Sequence, residues 1–295
     1  MRKFKKIAVM DIVGISDEAK AKIQEYSESS IIYPQTNSEN DQDVIARIKD
    51  AEAVLGSWAS TLNQNILDQT PNLKYVGICG TSLANIDQAE LQKRGITLTN
   101  VTDYGDEATA EFVFAQLLNL YRGIIDKKLD LEPRELHYKT IGIVGLGAVG
   151  KQVAKLALGF EMKVVYHSRT RNPEWESRGL IYQDLNELLK SCDIISLHVP
   201  KNTQVLGESE FALIKPGAVL IDTCLGIVFG LKAFRTWIQK KQNFAIIDQK
   251  AELAEAVQNL DHVVYHKTIT AGRTKESRDR LSQKTIDNLE SYLNK

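Results

Sequence analysis

Cysteine is scarce in this 295-residue chain, and the three present, Cys79, Cys192 and Cys224, are odd in number and widely spaced. That pattern excludes a disulfide framework and a four-thiolate zinc site, and it predicts small buried apolar side chains and no bound metal. An excess of one charge is lacking too: 37 Lys and Arg stand against 38 Asp and Glu, a net charge of -1. No overall basic field exists to condense the chain onto nucleic acid or an anionic membrane. Long apolar runs are absent, the longest falling far short of the roughly 20 residues of a spanning helix. The N-terminal Met1-Arg2-Lys3-Phe4-Lys5-Lys6 leads into a strand-like run without the apolar core of a signal peptide. No repeat of fixed period and no low-complexity segment occurs. These absences predict a soluble cytoplasmic protein with neither nucleic-acid nor membrane partners.

What is present is ordinary globular composition, 43% apolar and 25% charged, over a length that suits about two domains. Short β-rich runs alternate with helix-patterned stretches throughout, the signature of parallel sheets with crossover helices, so the fold class is α/β. The first half predicts strands at Ile7–Met10, Ser30–Tyr33, Ala53–Leu55, Tyr75–Ile78 and Thr97–Thr99. Helices are predicted at Ser16–Glu28, Asp41–Lys49 and Asp87–Lys93, the last closed by a C′ glycine, Gly95. The apolar face of Glu107–Tyr121 predicts a long helix connecting two lobes, and the polar Arg122–Tyr138 reads as a hinge or surface link. A second series follows, with strands at Thr140–Val144, Lys163–Tyr166, Ile194–His198, Ala218–Asp222, Phe244–Ile247 and Val263–Tyr265. The helical spacing of Thr274–Leu293 suits a return to the first lobe.

The segment Ile141-Gly142-Ile143-Val144-Gly145-Leu146-Gly147-Ala148-Val149-Gly150 places Gly-x-Gly-x-x-Gly between a strand and the helix-patterned Lys151–Leu158. Gly145 permits a tight turn, Gly147 lets a pyrophosphate approach the backbone, and Gly150 lets helix and strand pack closely. A glycine triad alone is weak evidence, but the strand, the helix and a second strand about 20 residues on supply the context of a dinucleotide site. At the end of that second strand, His167-Ser168-Arg169-Thr170-Arg171 contains no carboxylate to accept from a ribose 2′-hydroxyl. Hydroxyl and guanidinium donors stand there instead, suited to a 2′-phosphate. The cofactor expected is therefore NADP(H) in preference to NAD(H), the competing reading being a solvated basic loop.

Over nearly its whole length the chain resembles the D-isomer-specific 2-hydroxyacid dehydrogenase family. The resemblance rests on Gly80-Thr81-Ser82-Leu83-Ala84-Asn85-Ile86-Asp87, Thr99-Asn100-Val101, Ala108-Thr109-Ala110-Glu111 and the glycine loop. It continues in Ser196-Leu197-His198-Val199-Pro200, Thr203, Phe211, Lys215 through Thr223, and Ala271-Gly272. It implies a Rossmann-type, doubly wound dinucleotide-binding domain (residues 102–271) inserted into a flavodoxin-like substrate domain (residues 1–101 plus 272–295). It further implies that Gly145, Gly147, Ala148, Val149 and Gly150 meet the pyrophosphate and Ser168, Arg169, Thr170 and Arg171 the adenosine end. His198, Val199, Pro200 and Thr203 would line the adenine side, Thr223, Cys224 and Asp248 the nicotinamide side. The backbone amides of Thr81 and Ser82 would hold a substrate carboxylate. A homodimer is also implied.

The family's catalytic side chains are not found where the resemblance puts them. Its Arg position reads Leu225, before Gly226; its Glu position falls at Ala251, with Glu252 one residue out of register; its His position falls at Ile269. A positioned acid–base group contributes roughly 10²–10⁴ in rate. Replacement candidates are Tyr104, His266, Lys267 and Arg273, each with a structural alternative: loop packing for Tyr104, a satisfied strand-end side chain for His266, solvated charges for Lys267 and Arg273. Two functions follow. One is an NADP(H)-dependent oxidoreductase reducing a small 2-keto acid-like carbonyl with its own acid–base groups. The alternative is a catalytically inactive dinucleotide-binding or sensor protein on the same fold.

Overall fold

In the computed structural model, described for residues 2–123, 132–201, 203–240, 242–248, 251–257, 260, 262–266 and 268–295, the chain divides into two units. One comprises Met1–Tyr104 with Lys275–Lys295, the other Gly105–Thr274. Both are α/β with parallel sheets.

The first unit contains β1 (Ile7–Val9), α1 (Asp17–Gln24), α2 (Asp41–Ile48), β2 (Ala53–Ser57), α3 (Gln64–Asp68), β3 (Tyr75–Cys79), α4 (Gln88–Lys93) and β4 (Thr97–Asn100). Its sheet runs β1-β2-β3-β4, all parallel. Strand periodicity splits its core between two faces. Ile7, Val9, Leu55 and Tyr75 join one cluster with Leu281, Leu289 and Leu293 of the C-terminal helix Lys275–Leu293, while Ala8, Met10, Val54 and Val76 join the other with Val44, Ile48 and Ile66. Side-chain oxygens of Ser16, Asn40, Asn63 and Asp87 cap the four short helices at their N-termini. The expected strand Ser30–Tyr33 does not form. The Gln24 side chain takes up its backbone instead, Oε1 accepting from Ile31 N at 2.8 Å and Nε2 donating to Ser29 O at 3.1 Å, and Ile32 is 82% exposed. The four strands that remain keep the order of a flavodoxin-like sheet (2-1-3-4-5) whose outer strand is missing.

The second unit contains α5 (Asp106–Arg122), β5 (Thr140–Val144), α6 (Ala148–Gly159), β6 (Lys163–His167), α7 (Pro173–Glu176), β7 (Ile181–Tyr182) and α8 (Leu185–Ser191). There follow β8 (Ile194–Leu197), α9 (Glu208–Leu213), β9 (Val219–Asp222), α10 (Leu231–Ile238), β10 (Phe244–Ile247), α11 (Ala251–Val257) and β11 (Val263–Tyr265). The seven parallel strands run β11-β10-β9-β8-β5-β6-β7, the doubly wound Rossmann order with one strand added beyond β10. The helix expected to connect two lobes belongs wholly to this unit: Val113, Phe114, Leu117 and Leu120 of α5 are buried against Ile141, Ile143, Val164 and Ile221. Of the expected link Arg122–Tyr138, residues 124–131 lie outside the described residues. Among the described residues no helix is long and apolar enough to cross a membrane, and all three cysteines are free thiols.

Candidate dinucleotide site and the strand edges around it

In the second unit the chain leaves β5 toward β6 on one side and resumes with β8 on the other. The crevice beyond β5 is thus the topological switch point at which doubly wound sheets bind ligands. The glycine loop sits there. Gly145 has φ +99°, its amide donates to His167 O at 2.8 Å, and a Cβ on it would stand 2.2 Å from His198 O. His198 N in turn donates to Val144 O at 2.8 Å, so the ends of β5, β6 and β8 are laced together. A Cβ on Gly150 would stand 2.2 Å from Gly145 O. Gly147, the exposed N-cap of α6, differs: nothing lies within 4 Å of its would-be Cβ. The protein's own packing therefore demands Gly145 and Gly150 but leaves the approach at Gly147 open, and the first-turn amides of α6 face outward with the positive end of the helix dipole. This cradle fits a pyrophosphate.

After β6 the loop Ser168–Arg171 carries an exposed Arg169 with no hydrogen bond or ion pair among the described residues. Arg171 is held differently, donating Nε and Nη2 to the two carboxylate oxygens of Glu176 at 3.0 and 2.6 Å, with its guanidinium 5.2 Å above the Tyr182 ring. Neither Glu176 nor Tyr182 carries a sequence signal for this site, because the Asn172-Pro173 turn brings them back to the loop. Beyond β8, His198 is half-buried, Nε2 meets Ser196 Oγ at 2.8 Å, and burial pushes its imidazole pKa down to about 4. The ring is neutral at pH 7. Val199 N donates to Cys224 Sγ at 3.4 Å, and Thr203 N to Pro200 O at 3.2 Å. Thr223 is half-buried beside Cys224, whose Sγ donates to Leu197 O at 3.2 Å and whose amide donates to Asp222 Oδ1 at 2.9 Å. The buried Asp248 carboxylate accepts from Thr270 N at 2.9 Å and Ala271 N at 3.2 Å, pinning the segment before Gly272.

Other candidates divide between the units. Past β11, on the same sheet edge as Asp248, His266 packs edge-on to Phe112 with ring centroids 4.9 Å apart. Its buried Nε2 has no partner among the described residues. Arg273 is exposed, and Lys267 lies outside the described residues. Leu225 and Ile269 are half-buried; Ala251 and Glu252 open α11, and their side chains lie outside the described residues. In the first unit Thr81 and Ser82 follow β3. Thr81 Oγ1 donates to Val101 O at 3.1 Å and its carbonyl accepts from Asn100 Nδ2 at 2.9 Å, while the Thr81 and Ser82 amides meet no acceptor among the described residues. Two adjacent amides left without an acceptor are available to an anion. Tyr104 is half-buried against the first unit's core, and its carbonyl accepts from Arg280 Nε at 2.9 Å.

Residues 114–252 match the family model for the D-isomer specific 2-hydroxyacid dehydrogenase NAD binding domain. The chain is 32% identical over 274 residues to the glyoxylate reductase of Thermococcus litoralis, covering 84% of this chain and 82% of that one. Among solved structures it is similar to an acyclic imino acid reductase (Bsp5) in complex with NADPH and D-Arg, at TM-score 0.83 and 28% identity over 98% of this chain and 97% of that one. A D-lactate dehydrogenase from Aquifex aeolicus complexed with NAD and lactic acid shares the fold at TM-score 0.83 and 23% identity, over 98% and 96% of the two chains. The chain belongs to the D-isomer-specific 2-hydroxyacid dehydrogenase family, and the relatives it matches are oxidoreductases. Its second unit carries the family's domain for a nicotinamide dinucleotide.

Proposed function

We propose that this protein is an NADPH-preferring reductase of a small 2-keto acid-like carbonyl compound, working with acid–base groups other than the usual Arg, Glu and His. The observation that carries the cofactor preference is the end of β6, where an exposed Arg169, without a partner among the described residues, lies among hydroxyls and no carboxylate stands between His167 and Arg171. When bound, the dinucleotide supplies the hydride. The chain's own part is to hold its pyrophosphate at Gly145–Gly150, its 2′-phosphate at Ser168–Thr170 and its far end beside Thr223, Cys224 and Asp248, and to seat a substrate carboxylate on the Thr81 and Ser82 amides. His266 is the proton donor this reading favours, since its buried Nε2 lacks a partner among the described residues. The first unit is assigned the substrate and the second the dinucleotide, in a cytoplasmic homodimer whose mass light scattering would check.

A second reading is favoured by Leu225 and Ile269, two apolar residues where a carbonyl clamp and an acid–base group are expected. A protonated imine needs neither, because hydride adds to carbon while the C=N electron pair moves to a nitrogen that already carries its protons. A guanidinium clamp would repel such a cation. The likeness to an imino acid reductase supports this reading.

The test is a fluorescence titration with NADPH and NADH, followed by cofactor oxidation with 2-keto acids, aldehydes and 2-keto acids mixed with amines. Arg169→Ala should weaken NADPH about tenfold or more, the scale of one charge-assisted phosphate contact, and leave NADH nearly unchanged. Equal weakening refutes the 2′-phosphate assignment. Oxidation with keto acids alone, abolished by His266→Gln, supports the first reading; oxidation only with amine present, insensitive to His266→Gln, supports the second. Tight binding with no oxidation across the panel refutes both and leaves a dinucleotide-binding protein without turnover.

A further inference from the structure

The two arginines of the β6 loop differ in what surrounds them. Arg171 is clamped by Glu176 through two bonds, at 3.0 and 2.6 Å, and by the Tyr182 ring. Glu176 is itself anchored from the core: Oη of the fully buried Tyr166 donates to it at 2.7 Å and accepts from Asn172 N at 2.7 Å. Arg171 first, and then Tyr166, hold the Glu176 carboxyl below its ordinary pKa, so it stays ionised. Arg169, two residues earlier, has no such partner among the described residues.

We infer that Glu176 sets the cofactor discrimination of this protein by withholding Arg171 from the 2′-phosphate, leaving Arg169 as the single guanidinium that reads it. The inference rests on the proposal that the β6 loop is the 2′-phosphate site. To reach a phosphate Arg171 would have to leave a bidentate partner and a stacked ring, and it would strand an anchored carboxylate beside an incoming dianion. The like charges would then repel. Held in place, the Arg171–Glu176 pair is close to neutral at the range of a cofactor phosphate, so the net positive charge of the loop is that of Arg169. The pair acts as a positioning device for the loop, and NADPH is preferred by the margin one arginine supplies.

The experiment measures dissociation constants of NADPH, NADH, 2′,5′-ADP and 5′-ADP by calorimetry for the wild type, Arg169→Ala, Arg171→Ala, Glu176→Gln and the Glu176→Gln/Arg171→Ala double variant, with a thermal melt of each. The Glu176→Gln/Arg171→Ala double variant, which removes the pair without stranding a charge, should leave the NADPH-to-NADH affinity ratio within about twofold, whereas Arg169→Ala should lower it about tenfold or more. Glu176→Gln should raise the ratio by roughly three- to tenfold as Arg171 becomes available, and the double variant should lose that gain. The same ordering should appear between 2′,5′-ADP and 5′-ADP, which carry no nicotinamide. A drop in the ratio for the double variant equal to that for Arg169→Ala overturns the inference, as does a Glu176→Gln ratio unchanged or reduced. If Arg169→Ala alone lowers the ratio as expected, the phosphate-site reading survives that failure; if Arg169→Ala leaves the ratio intact, that reading falls as well. Should Glu176→Gln not fold, the double variant decides by itself.

Discussion

Gly147 and Gly150 belong to one motif, yet replacing each by alanine should fail in different ways. Gly150 is buried in the first turn of α6, and its added Cβ would stand 2.2 Å from the Gly145 carbonyl oxygen, a backbone atom fixed by the strand end behind it. Relieving such an overlap costs about 1–3 kcal/mol or more. At Gly147 the backbone has φ -79° and ψ -162°, which any residue adopts, and nothing lies within 4 Å of the added methyl. An alanine N-cap in place of glycine costs roughly 0.5–1 kcal/mol, and the smaller entropy of the unfolded chain returns about 0.4–1 kcal/mol, so the two nearly cancel. Urea unfolding without cofactor should thus find Gly147→Ala within about 1 kcal/mol of wild type and Gly150→Ala destabilised by at least about 2 kcal/mol. Titration with NADPH should then show Gly147→Ala weakened at least about tenfold, because its methyl stands where the pyrophosphate must touch the backbone. Wild-type NADPH affinity in Gly147→Ala would refute the cradle, and wild-type stability in Gly150→Ala would refute the packing argument.

His198, whose pKa is pushed from 6.5 to about 4, is neutral in the fold and takes up a proton more readily when unfolded. Its contribution is therefore full above pH 6.5 and is lost as pH falls toward 4, by up to about 3 kcal/mol less what solvent at the half-buried ring screens; His198→Gln should flatten that limb of the stability–pH curve, and an unchanged slope would refute the assignment. Asp248→Asn leaves one acceptor oxygen for two amides, those of Thr270 and Ala271. A loss of about 1.5–3 kcal/mol is expected in denaturant unfolding, with faster amide exchange at both residues, and wild-type protection there would count against the pin.

Most of the strands could be read from the sequence because parallel strands buried on both faces are near-continuous apolar runs, as Ile141–Val144, Val164–Tyr166 and Ile194–Leu197 are. Ser30–Tyr33 has the same local composition and does not become a strand. Gln24, seven residues before Ile31, takes the Ile31 amide with its side chain and so occupies a donor that a neighbouring strand would otherwise use. No pattern within the segment carries that competition. The helix Asp106–Arg122 was legible as a helix from its broad apolar face, but the unit it serves depended on which core accepts Phe114 and Leu117. The glycine loop was legible because its constraints are steric and local. The tie between Arg171 and Glu176 was not, because it depends on a turn between them and on a tyrosine hydroxyl delivered from the core.

The same contrast separates the cofactor cradle from the positions where the family's catalytic groups are expected. The cradle is bound into the core through backbone: Gly145 to His167 and His198 to Val144. Each of these joins strands whose side chains fill both core clusters of the second unit. Changing them disturbs folding, so the cradle survives wherever the fold does. Leu225 and Ile269 are half-buried and belong to neither cluster, and the chain around them is held by the hydrogen bonds of Asp222 and Asp248 to main-chain amides. Side chains at those two positions can differ without a cost to the sheet. Because neither side chain enters a core cluster, the chemistry at this edge is free to change while the backbone bonds of the glycine loop stay as they are. That separation is the physical reason a chain can retain the family's cofactor domain whatever side chains stand at the positions expected to handle the substrate's proton.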